Sequence, residues 1–184
     1  MRRVLLVLAA VTTALLLGGA GFVVTRAPAL EPAGAGEVLG RQQSAVFSIA
    51  DRTIRQVRYD DRATLRYSFS IENKAWYDVQ VTGLVPEKHE QTLLRLRGLT
   101  DAAGHSSFTI AAGATRQVVL SVLMTDCERL SARASSLIGT IGVRVTGLAG
   151  VGHDLRVALP EELRTGSARE MFCPRATAKS RPPG

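Results

Sequence analysis

The chain has 184 residues, 46% of them hydrophobic, and a formal net charge of +7 at neutral pH. This length fits one globular domain with a core of its own. Arg2, Arg3 and Arg26 account for three of the positive charges, and the basic residues beyond them are scattered singly, without interleaved aromatic residues. This pattern argues against a nucleic-acid-binding protein.

The amino terminus contains an uncharged apolar segment that begins at Val4 and ends at Val24. As a helix, its 21 residues would be about 31 Å long, which matches the roughly 30 Å hydrocarbon core of a bilayer. Arg2 and Arg3 precede it, and the positive-inside rule keeps such residues in the cytoplasm. The sequence therefore predicts a transmembrane signal-anchor over residues 1–26, with the rest of the chain extracytoplasmic.

The alternative for this segment is a cleaved signal peptide and a secreted protein. Ala27-Pro28-Ala29 offers a small-residue cleavage site, although the apolar segment is longer than is usual for a signal peptide. Residues 27–40 are rich in Pro, Ala and Gly and lack an apolar period, so they are predicted to be a linker. The domain itself is predicted to occupy residues 41–173.

The domain sequence reads as a series of short strands. Residues 45–50 are predicted to be the first, and a central hairpin follows, in which residues 64–71 and 77–82 alternate apolar and polar side chains. Residues 115–125 form the most apolar strand and are expected to be central. Residues 138–146 and 155–159 are predicted to form a second hairpin through Gly147-Leu148-Ala149-Gly150, and Pro160 is expected to end its pairing.

This gives seven or eight strands with turn signals at intervals of about 8 to 12 residues, which is typical of an all-β sandwich. No alternation of strands and helices is apparent.

A resemblance accompanies this pattern. The stretch Asn-Lys-Ala-Trp-Tyr-Asp-Val-Gln-Val-Thr-Gly-Leu at residues 73–84 resembles a strand pair in immunoglobulin-like extracytoplasmic domains of actinobacterial membrane proteins. Trp76 precedes both cysteines, which differs from antibody-type domains. The resemblance implies an immunoglobulin-like β-sandwich behind one transmembrane helix, and it implies no catalytic residue.

Cys127 and Cys173 are the two cysteines of the chain. In an oxidising compartment an even number of cysteines predicts a disulfide, here one that ties the carboxyl-terminal segment to the sandwich. Their separation does not fit a redox-active Cys-x-x-Cys pair. After Cys173, residues 174–184 form a basic, proline-rich tail that is predicted to be disordered.

Sites of chemistry are not evident. His89, His105 and His153 lie in predicted loops without metal-ligand spacing, and no nucleophile motif is present. We therefore expect no enzyme activity, no cofactor and no metal.

The sequence predicts a non-catalytic, membrane-anchored interaction or accessory module with a protein partner at the cell envelope. Partner contacts are expected at exposed edge strands and at Trp76, Glu87, His89 and His105. The alternatives are the secreted form of the same domain and a small metal-binding or hydrolytic enzyme.

Overall fold

A computed structural model describes residues 26–40, 45–60, 62–86, 93–125, 137–165 and 171–172. These residues are almost entirely in β-structure, and no α-helix occurs among them. The predicted anchor from Val4 to Val24 and the predicted tail at 174–184 lie outside the described residues. Within the described ranges, no helix has the length and apolar character needed to span a membrane.

The described part of the chain forms twelve strands. They are β1 (Leu30–Leu39), β2 (Val46–Ile49), β3 (Arg52–Val57), β4 (Tyr59–Asp60), β5 (Thr64–Asn73), β6 (Val79–Leu84), β7 (Leu94–Asp101), β8 (Phe108–Ile110), β9 (Thr115–Met124), β10 (Leu137–Thr146), β11 (Gly152–Thr165) and β12 (Met171–Phe172).

Two sheets make up the domain. One has four strands in the order β1-β5-β9-β7, all antiparallel, and the other has six in the order β2-β3-β11-β10-β6-β8. Among the described strands of the larger sheet, only β3 and β11 are parallel neighbours. The short strands β4 and β12 form a separate parallel pair.

The core lies between the two sheets. In β5 the alternating residues Leu65, Tyr67, Phe69 and Ile71 are at most 2% exposed, and they belong to one cluster with apolar residues of β6, β10 and β11. Burial of each such side chain contributes roughly 1.5 to 3 kcal/mol to folding. This confirms an all-β sandwich of two sheets.

Two further predictions are confirmed. Strand β9 is central, because it lies between β5 and β7 in the four-stranded sheet. Strands β10 and β11 form an antiparallel hairpin around a short 3-10 turn at Leu148–Gly150. Both strands carry regular alternation, which sequence patterning detects best.

The predicted linker is corrected over most of its length. Residues 30–39 form β1, an edge strand that pairs with β5, so residues 45–50 contain the second strand and not the first. The sequence of β1 shows no apolar alternation, for two reasons. Its pairing with β5 shifts between Ala33 and Glu37, and its buried residues are only Leu30, Gly36 and Val38.

The predicted central hairpin is also corrected. Strands β5 and β6 lie in different sheets, so the chain crosses the sandwich between Asn73 and Val79. Alternation identifies both strands but contains no information on which strand is the partner.

Pro160 does not end the last hairpin. Strand β11 continues to Thr165, because its pairing with β10 shifts between Thr140↔Ala158 and Ile138↔Leu163. Pro160 lies inside this bulge, where the ladder does not require a backbone N–H.

The sandwich has two distinct ends. The proximal end is where the described chain begins, and it carries the β5–β6, β8–β9 and β10–β11 connections: the Asn73 amide donates to the Ala114 carbonyl, and Gly147 lies against the Tyr77 ring. The distal end, on the opposite side, is marked by the last residues of β1 and β9 and the first residue of β5.

Candidate functional site

A cleft of about 330 Å³ opens at the proximal end between residues 26–29 and residues 74–77. Two hydrogen bonds hold its walls together. The Tyr77 hydroxyl donates to the Arg26 carbonyl at 3.1 Å, and the Lys74 amide donates to the Ala29 carbonyl at 2.9 Å. We call this the proximal cleft.

Trp76 projects from one wall of the proximal cleft. Its side chain is 69% exposed, and its ring meets the Tyr77 ring edge-on, with 5.3 Å between centroids. The Lys74 ammonium lies 2.6 Å from a Glu72 carboxylate oxygen, and this hydrogen bond raises the pKa of Lys74. The exposed Trp76 indole therefore packs against the Tyr77 ring, which is itself held by its hydrogen bond to Arg26.

Asn73 fixes the turn that carries Trp76. Its buried side-chain amide lies within hydrogen-bonding distance of the carbonyls of Tyr77, Ile110 and Ala111, at 2.8, 3.1 and 3.2 Å. Its side-chain oxygen accepts from the Ala75 amide at 3.0 Å. One side chain therefore joins the β5–β6 crossing to the end of β8.

A polar cluster surrounds Asp101 at the end of β7. Its carboxylate is 2% exposed and accepts from the His105 backbone amide at 2.9 Å and from the Arg116 guanidinium at 2.7 Å. The His105 ring nitrogen lies 3.2 Å from the same carboxylate. The backbone hydrogen bond, with help from Arg116, holds the pKa of Asp101 well below its usual range.

A second polar cluster is buried between β1, β3 and β11. Arg55 forms a two-pronged ion pair with Glu161 and also donates to the Gly36 carbonyl at 2.9 Å. The adjacent Tyr67 hydroxyl is fully buried, and this burial, together with the Glu161 carboxylate, raises the pKa of Tyr67 and keeps it neutral. Arg55 is matched by Glu161 and by the Gly36 carbonyl, so these contacts tie β1 to the larger sheet, whereas the Tyr67 hydroxyl has no hydrogen-bond partner among the described residues.

The predicted partner contacts are only partly within the described residues. Trp76 and His105 are both strongly exposed, with 70% of the His105 side chain accessible, but they occupy different connections. Glu87, His89, Cys127 and Cys173 lie outside the described residues. Within the described ranges, no group of three or more His, Cys, Asp or Glu side chains is arranged to hold a metal ion.

One edge of the larger sheet has an unusual composition. Strand β2 is its outermost strand, and the four residues Val46–Ile49 carry no charge. Val46 and Ile49 are 46% and 57% exposed. Sheet edges are usually protected by charges, proline or bulges, so an uncharged apolar edge is suited to pairing with another chain.

Sequence reasoning missed Asn73, Asp101, Arg116 and the Arg55–Glu161 pair. Arg116 lies 15 residues from Asp101, and Arg55 lies 106 residues from Glu161, so sequence spacing does not reveal these two pairs. Asn73 and Asp101 did leave a signal, because each is a turn-forming residue at the end of a strand and at the start of a turn.

Comparisons with known proteins give little further information. No family model and no curated protein matches the chain. Among solved structures, the crystal structure of the cupredoxin domain of amoB from Nitrosocaldus yellowstonii is similar at 12% identity and a TM-score of 0.28. The match covers 66% of this chain and 65% of that one, just under two thirds of its length. A TM-score of this size supports no functional inference.

Proposed function

We propose that this protein is a non-catalytic interaction module, anchored in the membrane by residues 4–24, whose extracytoplasmic β-sandwich binds a protein partner at the cell envelope. The observation that carries the proposal is the β2 edge. A partner segment that adds a strand there satisfies the open backbone groups, while Val46 and Ile49 supply apolar contact.

The strand order supports an immunoglobulin-like sandwich. Constant-type immunoglobulin domains place strands A, B, E and D in one sheet and C, F and G in the other. With β1, β5, β6, β7, β9, β10 and β11 taken as A to G, the four-stranded sheet runs A-B-E-D, and β11-β10-β6 runs G-F-C. Strands β2 and β3 then extend the sheet beyond G, and β8 extends it beyond C.

The anchor is supported by the sequence and by the start of the domain. The apolar segment ends at Val24, and Arg26 already contacts the sandwich through Tyr77. With β1 beginning at Leu30, the tether is only a few residues long. An anchored chain therefore holds its domain at the membrane surface, which leaves the β2 edge available to neighbouring proteins.

The proposal is tested by photocrosslinking in membranes of the native host. A photoreactive residue at Ile49 is compared with one at Thr109, an exposed position on β8 at the opposite edge of the same sheet. We expect one recurrent protein adduct from Ile49 and none from Thr109. Adding Val46→Lys to the Ile49 probe should abolish the adduct, because a lysine protects the edge from strand addition.

Equal labelling from Ile49 and Thr109, or no adduct from Ile49 in membrane-bound protein, would overturn the edge interaction. Fractionation of the same cells tests the anchor separately. An intact amino-terminal segment in the membrane fraction supports it, whereas a soluble protein that begins near Leu30 would favour the secreted alternative.

A further inference from the structure

The proximal end of the sandwich differs in charge from the distal end. Two of the proximal connections, 111–114 and 147–151, are Ala-Ala-Gly-Ala and Gly-Leu-Ala-Gly-Val, without a charged residue, and the β5–β6 connection carries Lys74 and Asp78. At the distal end, the β3–β5 connection alone contains Arg58, Asp60 and Arg62. The end with the two uncharged connections is also the end where the chain enters the domain.

The tether restricts how far this end can be from a membrane. Val24 and Arg26 are two residues apart, and a fully extended chain covers at most about 3.6 Å per residue, or about 7 Å in total. The Arg26 carbonyl accepts a hydrogen bond from the Tyr77 hydroxyl, and the Tyr77 ring meets the Trp76 ring edge-on. If residues 4–24 span the bilayer, as proposed above, the proximal cleft lies at the level of the lipid headgroups.

Trp76 has the character of an interfacial residue. Tryptophan and tyrosine are enriched where a protein meets the membrane surface, because the rings are apolar and carry a polar group at one side. Trp76 is 69% exposed, which is costly in water for the largest side chain of the domain, and exposed Arg26 lies beside it. Arginine side chains near the ends of transmembrane segments extend to the lipid–water interface.

From these observations we infer that the proximal end docks on the lipid surface, with the Trp76 indole inserted into the headgroup region and Arg26 beside it. This inference rests on the proposed anchor. The domain then stands on the membrane in one orientation, and the β2 edge is held at a fixed height for its partner.

The chain contains a single tryptophan, so its fluorescence reports directly on this contact. The experiment uses the full-length protein reconstituted into phosphatidylcholine vesicles, with and without lipids brominated in the upper acyl chain. We expect brominated lipids to quench most of the Trp76 emission, and we expect the emission to be blue-shifted and protected from acrylamide in the water phase.

A matched control moves the reporter away from the membrane. Trp76→Phe combined with Val46→Trp places the only tryptophan on β2, which pairs through β3 with the part of β11 near Leu163. That position is roughly 30 Å along β11 from the proximal end, at 3.3 Å per residue. Its emission should be quenched by acrylamide and not by brominated lipid.

The outcomes separate this inference from the proposed function. Protein that floats with vesicles and resists alkaline extraction, but whose Trp76 is quenched by acrylamide and not by brominated lipid, would overturn the docking while the anchor stands. Protein that fails to float would overturn the anchor and with it the docking. Quenching by brominated lipid at Trp76 and not at Val46→Trp supports both.

Discussion

Asn73 is the residue on which the proximal end depends most. Its amide and carbonyl groups serve four backbone partners on two connections, and the side chain is completely buried. Truncation in Asn73→Ala leaves these groups without partners, and we expect a loss of about 3 kcal/mol in the free energy of unfolding, because each unsatisfied buried group costs about 1 to 3 kcal/mol. Denaturant unfolding of the full-length protein in detergent, followed by far-UV circular dichroism, measures this loss.

Two further variants give this prediction its controls. Asn73→Asp keeps the acceptor for Ala75 but places a carboxylate against three carbonyl oxygens, so it should be at least as destabilising at neutral pH. Gln80→Ala removes one exposed hydrogen bond to Ser107 and should change stability by less than about 0.5 kcal/mol. Similar losses for Gln80→Ala and Asn73→Ala would contradict the assigned role.

Asp101 gives a pH-dependent prediction. Its pKa is lowered in the folded protein by the His105 amide and by Arg116, whereas an unfolded aspartate titrates near about 3.9. The unfolded chain therefore takes up the proton first, so the stabilisation from the charged carboxylate is present above about pH 4 and is lost as the pH falls below it. Asp101→Asn should destabilise the fold at pH 7, and its difference from the parent should shrink on acidification.

The measurement is thermal unfolding of parent and Asp101→Asn across that pH range. Arg116→Gln should cause a smaller loss at pH 7, because the His105 amide still donates to the carboxylate. A difference between parent and Asp101→Asn that is the same at pH 7 and at pH 3 would show that the charge of Asp101 does not stabilise the fold.

At the scale of elements, β1 depends on one close contact. Gly36 is buried against Tyr67, and a Cβ at Gly36 would overlap the Tyr67 hydroxyl. Tyr67 cannot yield, because it is fully buried between the sheets. Gly36→Ala should therefore destabilise the domain by at least about 2 kcal/mol, within the range found for overpacked cores.

Gly98 in β7 provides the control for Gly36. A Cβ there would meet nothing within 4 Å, and the residue does not have a positive φ, so Gly98→Ala should be neutral or slightly stabilising. In a double-mutant cycle, Gly36→Ala should cost much less in a Tyr67→Leu background. If the two substitutions lowered the free energy of unfolding additively, residue 36 and the Tyr67 side chain would not be in steric conflict.

The same strand shows how far the sequence predicts this fold. Regular alternation is enough to find β5, β9, β10 and β11, because each buries one complete face. Alternation does not identify β1, because β1 shows no apolar period and packs against Tyr67 through Gly36. Pro160 and the β5–β6 crossing were misjudged for a related reason, since a bulge and a capping asparagine depend on contacts made elsewhere in the fold.

The candidate site was predictable to a lesser degree. The exposure of His105 followed from its position in a predicted loop and is confirmed. Trp76 was named as a candidate contact although large aromatic residues are usually packed, and its side chain is exposed. Their surroundings did not follow, because Trp76 lies beside residues 26–29 and His105 beside Asp101 only once the strands are paired. The apolar character of the β2 edge also depends on its outermost position, which no local pattern encodes.

For the whole molecule, asymmetry between the two ends is the main organising feature. The proximal end has two uncharged connections and receives the chain from its apolar segment, while the β3–β5 connection at the distal end is charged. Near that distal end, three segments of the chain lie close together: β4, β12 and the end of β9. Strand β12 pairs with β4, with Phe172 opposite Asp60, and the Asp60 amide lies 3.1 Å from the Met124 sulfur at the end of β9.

This convergence bears on the predicted disulfide. Cys127 follows Met124 by three residues and Cys173 follows Phe172 by one. Both cysteines lie outside the described residues, so the disulfide stays a prediction. In an oxidising compartment we expect one intramolecular bond. It would close a loop of about 47 residues and stabilise the fold by roughly 4 kcal/mol, less any strain.

Non-reducing mass analysis of protein taken from its native host measures the bond, with alkylation before lysis to trap free thiols. Cys127→Ser and Cys173→Ser should each lower stability under oxidising conditions and should match the reduced parent protein. Because cytosolic proteins keep their thiols reduced, the redox state also reports on location. Two free thiols in the native protein would contradict the disulfide and weaken the extracytoplasmic assignment. A bonded pair would support both. The distal end would then be held together covalently, opposite the end that we infer rests on lipid.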